Sequence, residues 1–207
     1  MNLSEIYEKL LERYGKQNWW PAISKNPEER RFEISIGAIL TQNTAWKNVE
    51  KAIQNLNKTR LLAPEKILKI KIKKLAELIK PAGYYNQKAA SLKILAGFFL
   101  KKARQNQVPA RQELLELKGI GPETADSILL YAYNQPFFVV DAYTKRFFNC
   151  IKINFNTYGE WQEFFHKNLP KNPEIYNEFH ALIVQHCKNI CKKKPDCETC
   201  FLNRKIN

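Results

Sequence analysis

Apolar residues recur at helical spacing along almost all of the chain. Ile6, Tyr7, Leu10, Leu11 and Tyr14 form one stripe, with Ser4 standing where an N-cap belongs. Asn26-Pro27 opens a second helix that runs to about Leu40, since proline suits a first helical turn. Thr44 is placed to cap a third helix, from Ala45 to about Leu56. Pro64 opens a short fourth, Pro81-Ala82-Gly83 breaks the next, and a long helix is predicted from about Tyr85 to Arg104. Further helices fit 110–118, 122–134, 141–153, 158–169 and 172–190. Alternating runs are too short for strands, so the predicted fold is all-α. The helices group into a two-lobed body: 27–136 as a central lobe containing a helical hairpin at 114–134, and 1–26 with 137–186 as a second lobe. A cysteine-bearing loop, 187–200, follows.

Composition narrows the class. The 207 residues suffice for a real core, and 44% hydrophobic content excludes a disordered chain. The formal charge is +14, from 34 Lys and Arg against 20 Asp and Glu. That excess fits either a polyanionic partner or a strongly solvated surface. There is no apolar run of membrane-spanning length, and Met1–Ile6 begins an amphipathic pattern rather than a secretory core. The expectation is a cytosolic protein with reduced thiols. Four of the five cysteines lie between Cys187 and Cys200, which in a reducing compartment reads as a metal site before disulfides.

The most informative segment is Leu117-Lys118-Gly119-Ile120-Gly121-Pro122-Glu123-Thr124-Ala125. Two glycines around one apolar residue, between helical patterns, allow a tight turn and close backbone approach to a ligand. The N–H groups opening the following helix suit a DNA phosphate. Ile120 is expected to point inward, and Ala125, Ile128, Leu129 and Ala132 to form the buried stripe. Taken alone, the glycines equally suit a plain helix–helix connection. Downstream comes Phe137-Phe138-Val139-Val140-Asp141. An aspartate after four apolar residues is either an N-cap or a carboxylate held in a low-dielectric cleft.

The hairpin together with Val139-Val140-Asp141 resembles the endonuclease III superfamily of helix-hairpin-helix DNA glycosylases, over about residue 27 to Cys200. The resemblance implies binding to double-stranded DNA through Gly119, Ile120 and Gly121, with Asp141 helping to break the bond between base and sugar. Departure of the base leaves positive charge on the sugar, which a fixed carboxylate stabilises while activating water. Family members that also cut the strand carry a lysine two residues past the second glycine. Here that residue is Glu123, which cannot form an imine. The expectation is a monofunctional glycosylase acting as a monomer near the nucleoid. A bifunctional glycosylase/lyase and a DNA-binding module without chemistry are the alternatives.

Such an enzyme takes its base out of the stack. Ile39–Trp46 resembles the family loop that enters the duplex, with Gln42 the matching residue. Trp19-Trp20-Pro21 with Leu40-Thr41-Gln42-Asn43-Thr44 resembles the subgroup containing 3-methyladenine glycosylase III, in which aromatic residues sandwich the damaged base. A cationic alkylated purine stacks well on electron-rich faces. Trp19, Trp20 and Trp46 are therefore pocket candidates, against the alternative that paired tryptophans are core. Lys88, in Gly83–Ala89, is a candidate DNA contact at a helix start.

Cys187, Cys191, Cys197 and Cys200 are candidate ligands for a [4Fe–4S] cluster, with zinc or an incomplete site as the alternatives. The family spacing is C-x6-C-x2-C-x5-C. Here Cys191 and Cys197 are one residue closer, and Cys187, one turn before Cys191, has to supply the remaining ligand. Lys192, Lys193 and Lys194 lie between ligands, where the family meets DNA phosphates. Cys150 reads as core, and His166, His180 and His186 show no catalytic partner in the sequence, His186 being an alternative ligand.

Overall fold

A computed structural model describes residues 2–105, 107–192 and 200–202. Among these the secondary structure is helical throughout: α1 (Leu3–Tyr14), α2 (Pro27–Leu40), α3 (Trp46–Lys58), α4 (Pro64–Lys69), α5 (Ile72–Leu78), α6 (Tyr85–Gln105), α7 (Arg111–Leu115), α8 (Pro122–Ser127), α9 (Ala142–Cys150), α10 (Tyr158–Asn168) and α11 (Pro173–Asn189). No helix is long and apolar enough to cross a membrane, among the described residues.

Several boundaries follow local chemistry that differs from the predicted one. α1 is capped by Asn2, not Ser4: the Asn2 side chain accepts from the Glu5 N–H at 2.9 Å, and Glu5 returns a contact to the Asn2 N–H. This reciprocal pair satisfies two orphan donors, which Ser4, one residue inside the helix, is not placed to do. Asn26 caps α2 as its sequence suggests, accepting from Glu28 and Glu29. Thr44 does not cap α3, which starts after Ala45 with no side-chain cap. Its hydroxyl instead donates to the carbonyl oxygen of Ala82, with Gln42 O as a second, longer contact at 3.1 Å. The helix predicted over 110–118 stops at Leu115 and gives way to turns before the hairpin. That predicted over 122–134 relaxes after Ser127 into a π-helical turn, Ile128–Ala132.

The chain divides into two compact units, Trp20–Tyr133 and Met1–Trp19 with Asn134–Asn207, so one division falls between the paired tryptophans. In the first, α2 is the central element. Every residue from Phe32 to Leu40 is buried, and α2 packs on α3, α6, α8 and the π-helical turn. A helix buried on all sides needs neighbours all round, and its buried Glu33 carboxylate accepts from the Ile23 and Ser24 N–H groups. In the second, α1 packs on α11 and α11 on α9, about an aromatic core. Phe138 stacks on Phe165 with ring centroids 3.8 Å apart, and Tyr176 and Phe179 close on Phe138 edge-on.

Candidate functional site

In the unit Trp20–Tyr133, the hairpin turn joins α7 to α8. Gly119 has φ +90°, in the region that L side chains rarely adopt, and a Cβ built there lies 2.2 Å from Ser91 Oγ. Gly121 is extended and precedes Pro122, the first residue of α8. Ile120 is buried between these two exposed glycines, as are Ala125, Ile128, Leu129 and Ala132 behind it. A bidentate ion pair braces the two helices: Arg111 reaches the fully buried Asp126 at 2.6 and 3.0 Å. Glu123 is exposed in the first turn of α8.

The loop after α2 is tied to this hairpin. Gln42 Nε2 donates to the Gly119 carbonyl and to Thr124 Oγ1, each at 2.9 Å. Lys88 holds the loop from behind. It is 4% exposed, and its Nζ lies 2.8–2.9 Å from Leu40 O, Gln42 O, Thr44 Oγ1 and Ala82 O. Burial pulls its pKa down to about 8. The four oxygens act in the opposite sense, stabilising the ammonium. Lys88 is therefore an internal strut, not the DNA contact its sequence position suggested: its donors are consumed by the protein. Trp20 is also in this unit, 7% exposed, edge-on to Trp46 with centroids 5.1 Å apart and tilted against Tyr131 at 5.0 Å. Trp46 is half-buried, its indole N–H donating to Glu50 at 2.7 Å.

In the other unit, Asp141 is the N-cap of α9, its Oδ1 accepting from the Thr144 N–H at 2.7 Å. The carboxylate keeps 17% of its side-chain exposure, and His180 Nε2, from α11, lies 3.5 Å from the same oxygen. Burial raises the Asp141 pKa. The charge and contact of His180, with the backbone and side chain of Thr144, more than offset this and hold it below the usual carboxylate value. His180 thus has the carboxylate partner that no sequence spacing indicated. Trp19 stacks on the His180 ring, 5.6 Å between centroids and 15° between planes. Of the three candidate tryptophans, Trp20 meets Trp46 within its own unit and Trp19 meets His180 within the other.

The cysteine stretch is described in part. Cys187, Cys191 and Cys200 are buried; Cys197, Lys193 and Lys194 lie outside the described residues, and Lys192 is exposed. Cys187 Sγ approaches Tyr143 O at 3.4 Å, and Arg146 Nε donates to Cys191 O at 2.6 Å. Contact with Cys187 and burial push the Cys191 thiol well above its ordinary pKa. Cys200 Sγ lies 3.6 Å from His186 Nε2, whose ring meets the Tyr14 hydroxyl at 3.0 Å through Nδ1. Cys150 is not simple core: it is half-buried and lines a cavity with His186, Cys191 and Cys200. Soft thiol donors of this kind suit iron or zinc. Among the described residues, which do not include Cys197, no three His, Cys, Asp or Glu side chains are arranged to hold a metal ion.

The chain is similar to known DNA repair proteins. The chain is 51% identical to a candidate DNA repair glycosylase of Methanocaldococcus jannaschii, over 95% of this chain and 91% of that one. It is 34% identical to the H. pylori 3-methyladenine DNA glycosylase MagIII, solved bound to 1,N6-ethenoadenine. That likeness has a TM-score of 0.80 and covers 91% of this chain and 98% of the other. An endonuclease III in a non-covalent DNA complex shares the fold, with a TM-score of 0.83 at 22% identity over 98% and 92% of the two chains. The family model for base excision DNA repair proteins of the HhH-GPD superfamily matches residues 36–171, and the chain belongs to that family.

Proposed function

We propose that this protein is a monofunctional DNA glycosylase of base excision repair. It hydrolyses the N-glycosidic bond of a damaged base, an alkylated purine, flipped out of double-stranded DNA, and leaves an abasic site. The observation that carries the reading is the carboxylate of Asp141, held ionised at the start of α9 with one oxygen bonded to Thr144 and facing His180. As the bond between C1′ and the base nitrogen breaks, its electron pair leaves with the base and positive charge builds on the sugar. An anion already in place stabilises that charge without reorganising. Water then adds to C1′, and Asp141 takes its proton. An alkylated purine carries a positive charge, leaves as a neutral base and needs no covalent intermediate, in keeping with Glu123 where a lyase has lysine. The identity to a 3-methyladenine glycosylase and the aromatic candidates Trp19, Trp20 and Trp46 support this substrate class.

Gly119, Ile120 and Gly121 take the phosphate backbone, Gln42 enters the duplex, and Lys192, Lys193 and Lys194 supply charge to the phosphates. The protein acts as a monomer in the cytoplasm, at the nucleoid. Cys187, Cys191, Cys197 and Cys200 hold a [4Fe–4S] cluster. Its part would be structural, in support of DNA binding.

The test is a panel of duplexes, each with one lesion, incubated with the protein and analysed with and without alkali. Abasic sites revealed only by alkali are expected, strongest for alkylated purines. Strand breaks without alkali establish the bifunctional alternative, and absence of abasic sites on every duplex leaves a DNA-binding module.

A further inference from the structure

One histidine joins two features that the reaction would use separately. Residues 17–19 run along α11 and are fixed to it three times. The Gln17 N–H donates to Glu178 Oε1 at 2.5 Å, Asn177 Nδ2 donates to Trp19 O at 2.8 Å, and the Trp19 ring lies flat on His180. His180 is 4% exposed. Its Nε2 approaches Asp141 Oδ1, the oxygen that also accepts from Thr144. Two contacts on one oxygen restrain a carboxylate that otherwise turns about two side-chain bonds. The 3.5 Å separation is longer than a normal hydrogen bond, as catalytic contacts often are before substrate binds.

We infer that His180 is the positioning residue of the glycosylase reaction: it orients the Asp141 carboxylate through Oδ1 and backs one face of Trp19, so that the base-stacking surface and the reacting carboxylate are held at a set separation. This rests on the glycosylase reading of Asp141. Displacing either ring moves base and carboxylate relative to each other, and a misplacement of about 1 Å costs roughly 100-fold in rate.

Two replacements separate positioning from packing. His180→Phe keeps a flat ring on Trp19 and removes the N–H. His180→Gln keeps a donor near the Nε2 position and loses the ring. The measurement is single-turnover cleavage of a duplex containing 1,N6-ethenoadenine or 3-methyladenine, with the Kd for the same duplex. The expected result is a rate for His180→Phe lower by about 100-fold, with Kd changed by no more than about threefold, and a rate for His180→Gln at least about tenfold above it. A ring that merely packs gives the reverse order, with Phe near wild type and Gln impaired, and overturns the inference. So does a loss confined to Kd in both variants. Active wild type with unaltered variants overturns the inference alone; wild type inactive on every duplex overturns the glycosylase reading and this inference with it.

Discussion

The side-chain amide of Gln42 donates at 2.9 Å to the carbonyl of Gly119, 77 residues further along the chain. The same nitrogen reaches Thr124 Oγ1, so the loop after α2 and the turn of the hairpin behave as one surface. The bond to Gly119 is exposed, and water can replace it. Gln42→Ala should therefore lower stability by less than about 1.5 kcal/mol. If Gln42 enters the duplex, lesion cleavage falls far more, by about tenfold or beyond. Urea midpoints and single-turnover rates on one preparation check both; wild-type cleavage would remove Gln42 from the DNA interface.

Gly119 is the position at which the hairpin tolerates least. An added Cβ meets Ser91 Oγ at 2.2 Å and Ser91 Cβ at 3.2 Å, in a backbone with φ +90°. Gly119→Ala combines backbone strain with overpacking and should cost about 2–4 kcal/mol. Adding Ser91→Ala relieves the clash with Oγ and leaves the strain, so the double variant should recover only part of the loss. Gly121→Ala, at φ −93° with nothing within 4 Å of its Cβ, should melt close to wild type. Thermal unfolding of the four proteins separates the terms.

Much of this was legible in the sequence. Helix periodicity, the Asn26-Pro27 start and the hairpin glycines are local signals, because each is set by residues within one or two turns of each other. What was illegible depended on distant neighbours. Asn2 and Ser4 are both good caps, and only the return contact from Glu5 favours Asn2. Lys88 is indistinguishable in sequence from the exposed lysines around it; four oxygens from Leu40, Gln42, Thr44 and Ala82 make it internal. His180 reads as one more residue of an apolar helix, since neither Trp19 nor Asp141 stands at a spacing that announces it. The π-helical turn after Ser127 gives no sign in a segment whose apolar residues suit an uninterrupted helix.

Lys88→Met keeps the length and the apolar stem but removes the charged head. Leu40 O and Ala82 O are then left buried with a donor missing. An unsatisfied buried acceptor costs about 1–3 kcal/mol; Ala82 O keeps its bond from Thr44, so a loss of about 2 kcal/mol is expected in urea unfolding. The loop carrying Gln42 loses its anchor in the same step, and its amide hydrogens should exchange faster. A variant as stable as wild type would show that the four contacts contribute nothing net.

The cysteine stretch predicts its own analysis. Protein purified anaerobically should carry about four iron and four sulfide per chain. Cys191→Ser should lose the chromophore and weaken binding to undamaged duplex, most strongly at low salt, where the lysine contacts count for most. One zinc per chain instead would replace the cluster by a zinc site.

Asp141 does two things at once, and two substitutions divide them. As N-cap it accepts from the Thr144 N–H; as an anion it faces His180. Asparagine caps a helix as well as aspartate does, so Asp141→Asn keeps the bond to Thr144 and removes only the charge. Alanine removes both, and the lost cap alone costs about 1 kcal/mol. The glycosylase reading therefore expects Asp141→Asn to fold and bind DNA nearly as wild type while its cleavage rate drops by about 100-fold or more, and Asp141→Ala to add a stability loss to the same defect. An Asn variant that still cleaves, beside an Ala variant that is merely less stable, would leave the residue as a helix cap and nothing more. Cleavage and urea unfolding measured on both variants decide between a structural aspartate and a reacting one.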